Sequence, residues 1–334
     1  MQMQSWKTIA AALLFVIPAC VARAETNVVR VAKQYGVSYL PLTIMEVEKL
    51  IEKRGKREGL DLRTEWTQFT GGSGMNDAIL SGNLDFASGG VGPMLTIWGK
   101  TRSNIDVRAV AALNCMPLFL VTVNPKVKTI ADFTDKDRIA MPLAKTSIQA
   151  VTLRMAAGKA FGEDKAGRFD PLEVSMGHPD AMAAMLGGHS EIDAHFGSAP
   201  FQDQELADPR AHKVLDSYDV LGGPHTFNLV WSSRKFVDAN PKATKAFREA
   251  LDDAIALIKS DPAKAAAIFL NADKSKLSQA AVEKMIRDPQ NEWTTKPKKL
   301  LAYLDYMNKA GLVAAKTNRL GDLFFAGLDL SGAN

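Results

Sequence analysis

One phrase of this sequence occurs twice. Asp77 to Pro93 reads DAILSGNLDFASGGVGP, and Asp180 to Pro200 reads DAMAAMLGGHSEIDAHFGSAP. Each copy passes from a helix-like stretch to glycine suited to a helix C-cap. An apolar–acidic pair follows (Leu84-Asp85, Ile192-Asp193), then a short strand, a small-residue loop and a proline. Two such αβ units far apart in one chain predict two lobes of one architecture. Asp85 and Asp193 are assigned to strand-entry turns, not to a ligand.

The rest of the chain alternates in the same manner. Asn27 to Lys33 has strand-like alternation, and Tyr39 to Lys56 carries Leu40, Ile44, Val47 and Ile51 at helical spacing. Asp61 to Phe69 is again strand-like, and Gly71-Gly72-Ser73-Gly74 opens a short helix. This is the pattern of an α/β fold with largely parallel sheets. Polar stretches at Asn124-Pro125 and Gly222-Gly223-Pro224-His225 read as crossings between lobes. They give a discontinuous first lobe, 25–124 with 226–334, and a second lobe, 125–225. The last third is helical. Asn240-Pro241 and Asp261-Pro262 start helices, and Phe247, Leu251, Ile255 and Ile258 line one face.

The first 24 residues do not belong to that pattern. Lys7 supplies a positive start, Ile9 to Cys20 an apolar run too short to span a membrane, and Ala22-Arg23-Ala24 a small-x-small cleavage signal. The expectation is export, with cleavage after Ala24 and a mature chain beginning at Glu25. A lipoprotein signal ending at Cys20 ranks second, because Pro18 stands where a small or β-branched residue is usual. Of the 2 cysteines, cleavage leaves only Cys115. That excludes a disulfide scaffold or thiolate cluster, and its apolar neighbours predict a buried, inert thiol. The net charge is +4, of which Lys7 and Arg23 supply two. So small an excess does not support nucleic-acid or polybasic membrane binding.

Several phrases in order resemble the nitrate/sulfonate/taurine family of ABC-transporter substrate-binding proteins. They are VAKQYGVSYLPLTIMEVEKL from Val31, GGSGMNDAILSGNLDFASGGVGP from Gly71 and KTIADFTDKDRIAMPLAKTSIQAVTLR from Lys128. DAMAAMLGGHSEIDAHFGSAPF from Asp180 and the tail YLDYMNKAGLV with RLGDLFF complete the set. The resemblance implies a two-lobed periplasmic-binding-protein fold of type II, closure about a two-stranded hinge, and delivery of a small molecule to a membrane permease. It implies no cofactor, no metal and no catalysis, and a monomer is expected. The chain departs from the family at His195-Phe196-Gly197-Ser198-Ala199-Pro200-Phe201, where many relatives carry an aromatic-Asp-Pro-Phe.

In open α/β sheets ligands bind beyond the carboxyl ends of strands, where helix N-termini offer unpaired N–H groups and a positive dipole end. Gly72-Ser73 and Thr146-Ser147 supply one such opening per predicted lobe, suited to a carboxylate, sulfonate or nitrate. Both serines are equally suited to act only as caps. Three more loops complete the predicted cleft: Gln34-Tyr35 into Ser38-Tyr39, Gly89-Gly90-Val91-Gly92, and His195-Phe196-Gly197. Tyr35, Tyr39 and Phe196 are candidate walls, and His195 the candidate polar specificity residue.

Sulfonate, nitrate-like anion, aromatic carboxylate and a neutral heterocycle such as a thiamine-precursor pyrimidine all fit this outline. A periplasmic hydrolase is the competing class. Gly71 to Met75 misses the nucleophile elbow at its last position, and Gly90 to Leu95 misses the dinucleotide fingerprint. No H-E-x-x-H or P-loop occurs, and the 5 histidines lack ligand spacing beyond His189/His195. A signalling sensor domain would need an output segment that the sequence does not show.

Overall fold

A computed structural model describes residues 25–333, so the predicted leader, 1–24, lies outside the described residues. Among the described residues twelve strands form: β1 Val28–Lys33, β2 Arg63–Gln68, β3 Ala87–Gly90, β4 Val107–Ala112, β5 Asn114–Cys115 and β6 Phe119–Thr122. The others are β7 Ile139–Met141, β8 Glu173–Ser175, β9 Ala194–Phe196, β10 His212–Asp216, β11 Asn228–Ser233 and β12 Glu292–Trp293.

Ten of them build two mixed sheets of one design, and β5 and β12 pair antiparallel with each other. In the first, β2 runs parallel to β1, and a parallel bridge from Val31 to Phe86 joins β1 to β3. Antiparallel β11 then separates β3 from β4. In the second, β8 runs parallel to β7 and β7 to β9, and antiparallel β6 separates β9 from β10. The orders are β2-β1-β3-β11-β4 and β8-β7-β9-β6-β10.

The repeated phrase has a repeated physical role. Asp85 accepts a hydrogen bond from the Arg30 backbone N–H (2.8 Å), and Asp193 accepts one from that of Arg138 (2.9 Å). The backbone N–H groups of Asp85 and Phe86 both donate to the Arg30 carbonyl, as those of Asp193 and Ala194 do to the Arg138 carbonyl. Each acid is 55 residues from its arginine. In each case the acid satisfies a backbone N–H that would otherwise lie unpaired beside the neighbouring strand.

In each sheet the antiparallel fourth strand is the one the chain forms just after arriving from the other. β6 follows the first crossing and β11 the second. Phe119–Thr122 therefore belongs to the second sheet, and the crossings run through 113–118 and 217–227, not through Asn124-Pro125. The crossing segments pair with each other: Leu113 donates to the Asn228 carbonyl (2.9 Å), Phe227 to that of Asn114 (3.1 Å), and Cys115 bridges Thr226. Cys115 is fully buried, and burial pushes its thiol up to about 12.

Helix Pro241–Ser260 backs the first sheet. Proline opens it after Asn240, and Phe247, Leu251, Ala254 and Ile258 form its buried stripe. Phe247 stacks on Phe86 with centroids 4.0 Å apart, each such ring contributing roughly 1.5–3 kcal/mol on burial. Arg54 of helix Leu50–Arg57 pairs with Asp253 and Glu249 across the same contact. The helical run predicted from Tyr39 to Lys56 is broken at Lys49, whose φ of 51° ends Leu40–Val47 before Leu50 begins the next helix. Among the described residues no helix is long and apolar enough to cross a membrane.

Candidate functional site

Four helices point their N-termini at one narrow cleft between the two sheets. Two stand on the first-sheet side: Gly72–Leu80, which follows β2, and Val91–Thr101, which follows β3. Two stand opposite: Ile148–Phe161 after β7 and His178–Gly187 after β8. All four are strand–turn–helix connections, so the first turns gather beyond the strands' carboxyl ends. The cleft is lined by Gln34, Tyr39, Gly72, Gly90, Pro93 and Phe227 on one side, and by Pro142, Leu143, Ser147, Ile148, Gln149 and His178 on the other. It encloses about 20 Å³, room for about one water molecule.

The walls touch. A Cβ on Gly90 would lie 2.7 Å from Ile148 Cγ2, and one on Gly92 would overlap the Thr146 carbonyl oxygen. The Val37 N–H donates across the cleft to the Ala199 carbonyl (3.2 Å), beside Gly36 at φ 110°, a conformation that favours glycine.

The polar groups in the lining fall into two kinds. Some are already engaged: the Ser147 hydroxyl accepts from the Ala150 N–H (3.2 Å), the Tyr39 hydroxyl donates to Asn228 Oδ1 (3.2 Å), and the Gln34 amide donates to the Ser88 carbonyl (3.2 Å). Others have no protein partner among the described residues. These are the Gln149 side-chain amide and the Nε2 of His178, on residues 2 % and 7 % exposed. The helix openings at Gly71 and Gly177 carry no side-chain cap. Among the described residues, no lysine or arginine lines the cleft.

Behind His178 stands a buried row. His178 Nδ1 lies 2.8 Å from His195 Nε2, and His195 Nδ1 lies 2.5 Å from Glu205 Oε1. His195 and Glu205 are fully buried, and Glu205 Oε2 has no partner. Burial pushes the Glu205 carboxyl up to about 9 and His195 down to about 3; burial, then the neighbouring His195, holds His178 well below its usual value. An ionised carboxylate with an orphaned oxygen in this setting is costly, so burial favours the neutral form of all three groups.

Of the residues singled out in the sequence, Gln34, Tyr39, Gly72, Gly90 and Ser147 meet in the cleft. Ser73 is the second residue of its helix, and its side chain is not among those described. Tyr35 and Thr146 lie outside the lining, Thr146 meeting Gly92 through its carbonyl. Val91 and Phe196 are fully buried in the core. His195 is buried one step behind the wall, and His178 takes the place expected of it. The sequence reading also passed over Gln149, Ile148, Phe227 and Pro142. His178 carried a legible signal: Gly177-His178-Pro179 after a strand is a helix opening like the two that were used. Among the described residues no three His, Cys, Asp or Glu groups are disposed to hold a metal ion.

Two sheets of one order, crossed twice by the chain and enclosing a cleft ringed by helix N-termini, define the periplasmic-binding-protein fold. The chain belongs to the NMT1-like family, whose model matches residues 22–270. Solved structures with this fold include the alkanesulfonate-binding protein SsuA from Xanthomonas axonopodis pv. citri bound to MOPS, 20% identical with a TM-score of 0.69. That match covers 87% of this chain and 96% of the other. The periplasmic aliphatic sulphonate binding protein SsuA from Escherichia coli is 19% identical with a TM-score of 0.66, covering 88% and 96%. The periplasmic nitrate-binding protein NrtA from Synechocystis PCC 6803 is 15% identical with a TM-score of 0.68, covering 88% and 84%. No curated protein sequence matches.

Proposed function

We propose that this protein is the periplasmic substrate-binding component of an ABC importer, closing two lobes over a small organic anion and handing it unchanged to a membrane permease. The observation that carries the reading is the convergence of four helix N-termini on a cleft without a cationic side chain. Backbone N–H groups and dipole ends then supply the attraction, which suits a sulfonate, carboxylate or nitrate-like group. The sulfonate and nitrate binders among the solved structures support the same class of ligand.

Leu113 to Leu118 and Ser217 to Phe227 form the hinge, between a lobe of about residues 25–112 with 228–333 and a lobe of 119–216. Gln34, Gly72, Ser73, Gly90, Ser147, Gln149 and His178 hold the ligand, and Tyr39 and Phe227 wall it. The protein acts as a monomer without catalysis. Its mature form begins at Glu25, whose carboxylate accepts from the Lys242 and Ala243 N–H groups (3.1 and 2.9 Å).

A thermal-shift screen of the mature protein tests the reading across alkanesulfonates, nitrate, aromatic carboxylates, aminopyrimidines and quaternary amines. A ligand at a hundred times its Kd adds about 2.7 kcal/mol. Anions alone should raise the melting temperature. A shift by the pyrimidine alone would move the assignment to a neutral heterocycle, and one by the amines would remove it.

A further inference from the structure

We infer that His178 is the side-chain donor that selects the anion, and that the buried row His195–Glu205 sets which way its proton points. The inference deepens the anion-binding reading and rests on it for the ligand, but not for the row itself. All three residues belong to the second sheet and its helices, so the row does not depend on lobe closure.

The geometry permits two states. With Glu205 protonated, its O–H donates to His195 Nδ1, the His195 Nε2–H donates to His178 Nδ1, and the His178 Nε2–H faces the cleft. Loss of one proton reverses every bond. His195 Nδ1–H then donates to the Glu205 carboxylate, His178 Nδ1–H donates to His195 Nε2, and a lone pair at His178 Nε2 faces the cleft. The count balances: each remaining proton moves one place along the row, and one leaves to solvent. The first state offers an anion a donor, the second a repelling lone pair.

The first state prevails near neutral pH. Burial disfavours charge on either imidazole, Glu205 Oε2 lacks a partner among the described residues, and burial pushes the carboxyl up to about 9. Other charges near helix Phe201–Leu206 are accounted for. Asp203 on the same helix is raised to about 6, first by burial, then by Asp288 and by Glu205 itself, with Lys284 opposing. On helix His178–Gly187, Asp180 is exposed. On β10, His212 bonds the Val127 carbonyl and Lys213 pairs with Asp216. β6 brings no titratable group.

Because the anion binds the protonated row, affinity is flat below the carboxyl's pKa and falls as pH rises through it, by about tenfold per pH unit. Glu205→Gln replaces the donating O–H with a donating N–H that cannot ionise. It keeps the neutral-pH tautomers and abolishes the alkaline fall.

Nitrogen-15 NMR of histidine-labelled mature protein without ligand tests the row directly, with His178→Gln and His195→Gln assigning the signals. The expected result is Nε2–H at both residues near pH 7, Nδ1–H at both well above pH 9, and no switch in Glu205→Gln. Nδ1–H or imidazolium at either residue near pH 7 would overturn the inference. Calorimetry with ethanesulfonate then reads the consequence: a roughly tenfold loss per unit above pH 9 in the wild type, none in Glu205→Gln, and a roughly ten- to hundredfold loss at neutral pH in His178→Ala. Unchanged affinity in His178→Ala would overturn the donor role. Absence of ethanesulfonate binding with the expected tautomers would instead count against the anion reading and leave the row established.

Discussion

Gly92 of one wall and Thr146 of the other are packed so closely that a methyl group on the glycine would overlap the threonine carbonyl oxygen. A contact to a backbone atom cannot be relieved by a rotamer change, so the walls meet only because position 92 has no Cβ. Gly92→Ala should hold the cleft ajar and weaken ethanesulfonate binding about tenfold or more, since overpacking typically costs about 1–3 kcal/mol. The same overlap is present without ligand, so the unliganded melting temperature should stay level or fall. Calorimetry beside thermal melts checks both, and undiminished affinity would contradict the contact.

Glu25 caps a helix more than two hundred residues away, accepting from the Lys242 and Ala243 N–H groups, while Asn240 accepts from the Thr26 N–H (2.8 Å). Glu25→Ala should lower stability by about 0.5–2 kcal/mol. Ligand affinity should not change, because the cap lies far from the cleft. Urea melts with and without ethanesulfonate separate the two effects.

Asp193 differs from its counterpart Asp85 in its surroundings. Burial and the nearby Asp137 push its carboxyl from 3.8 to about 6, so the native state disfavours its ionised form. The native state therefore binds more protons than the unfolded one between about pH 4 and pH 6, and this group's contribution to stability falls as pH rises through that window. Asp193→Asn keeps an acceptor for the Arg138 N–H and removes the ionisation. Its melting temperature should match wild type near pH 4 and exceed it at pH 7. A deficit at pH 7 would show that the charge itself is needed.

Cys115 lies inside the paired crossing segments, fully buried, with its thiol raised to about 12. It should resist a disulfide reagent at pH 8 in the folded protein and react fully in denaturant. Fast native labelling would mean that the crossing opens far more than its hydrogen bonds suggest.

The repeat was legible because it is made of local features: a glycine stop, an acid and a short strand recur, and the Arg30–Asp85 and Arg138–Asp193 bonds give that recurrence one cause. The fate of Phe119–Thr122 was not legible. An apolar run reads the same on either side of a crossing, and only its pairing with Ala194–Phe196 and His212–Asp216 assigns it to the second sheet. The site divides likewise. Helix openings follow from glycine, serine and proline at the ends of periodic stretches, so Gly72 and Ser147 could be found. The direction of a side chain from a strand buried on both faces has no such signal, so His195 was placed in the wall and not behind His178.

In the proposed function, helix N-termini and a neutral imidazole, not a cationic side chain, hold an anion between the lobes. Calorimetry of the mature protein at pH 7 with ethanesulfonate and with its uncharged near-isostere ethyl methyl sulfone measures this directly. The expected result is one-to-one binding of the sulfonate at least about a hundredfold tighter than the sulfone, from charge-assisted bonds contributing about 1.5–3 kcal/mol each. Equal affinity for the two, or tighter binding of the sulfone, would contradict it.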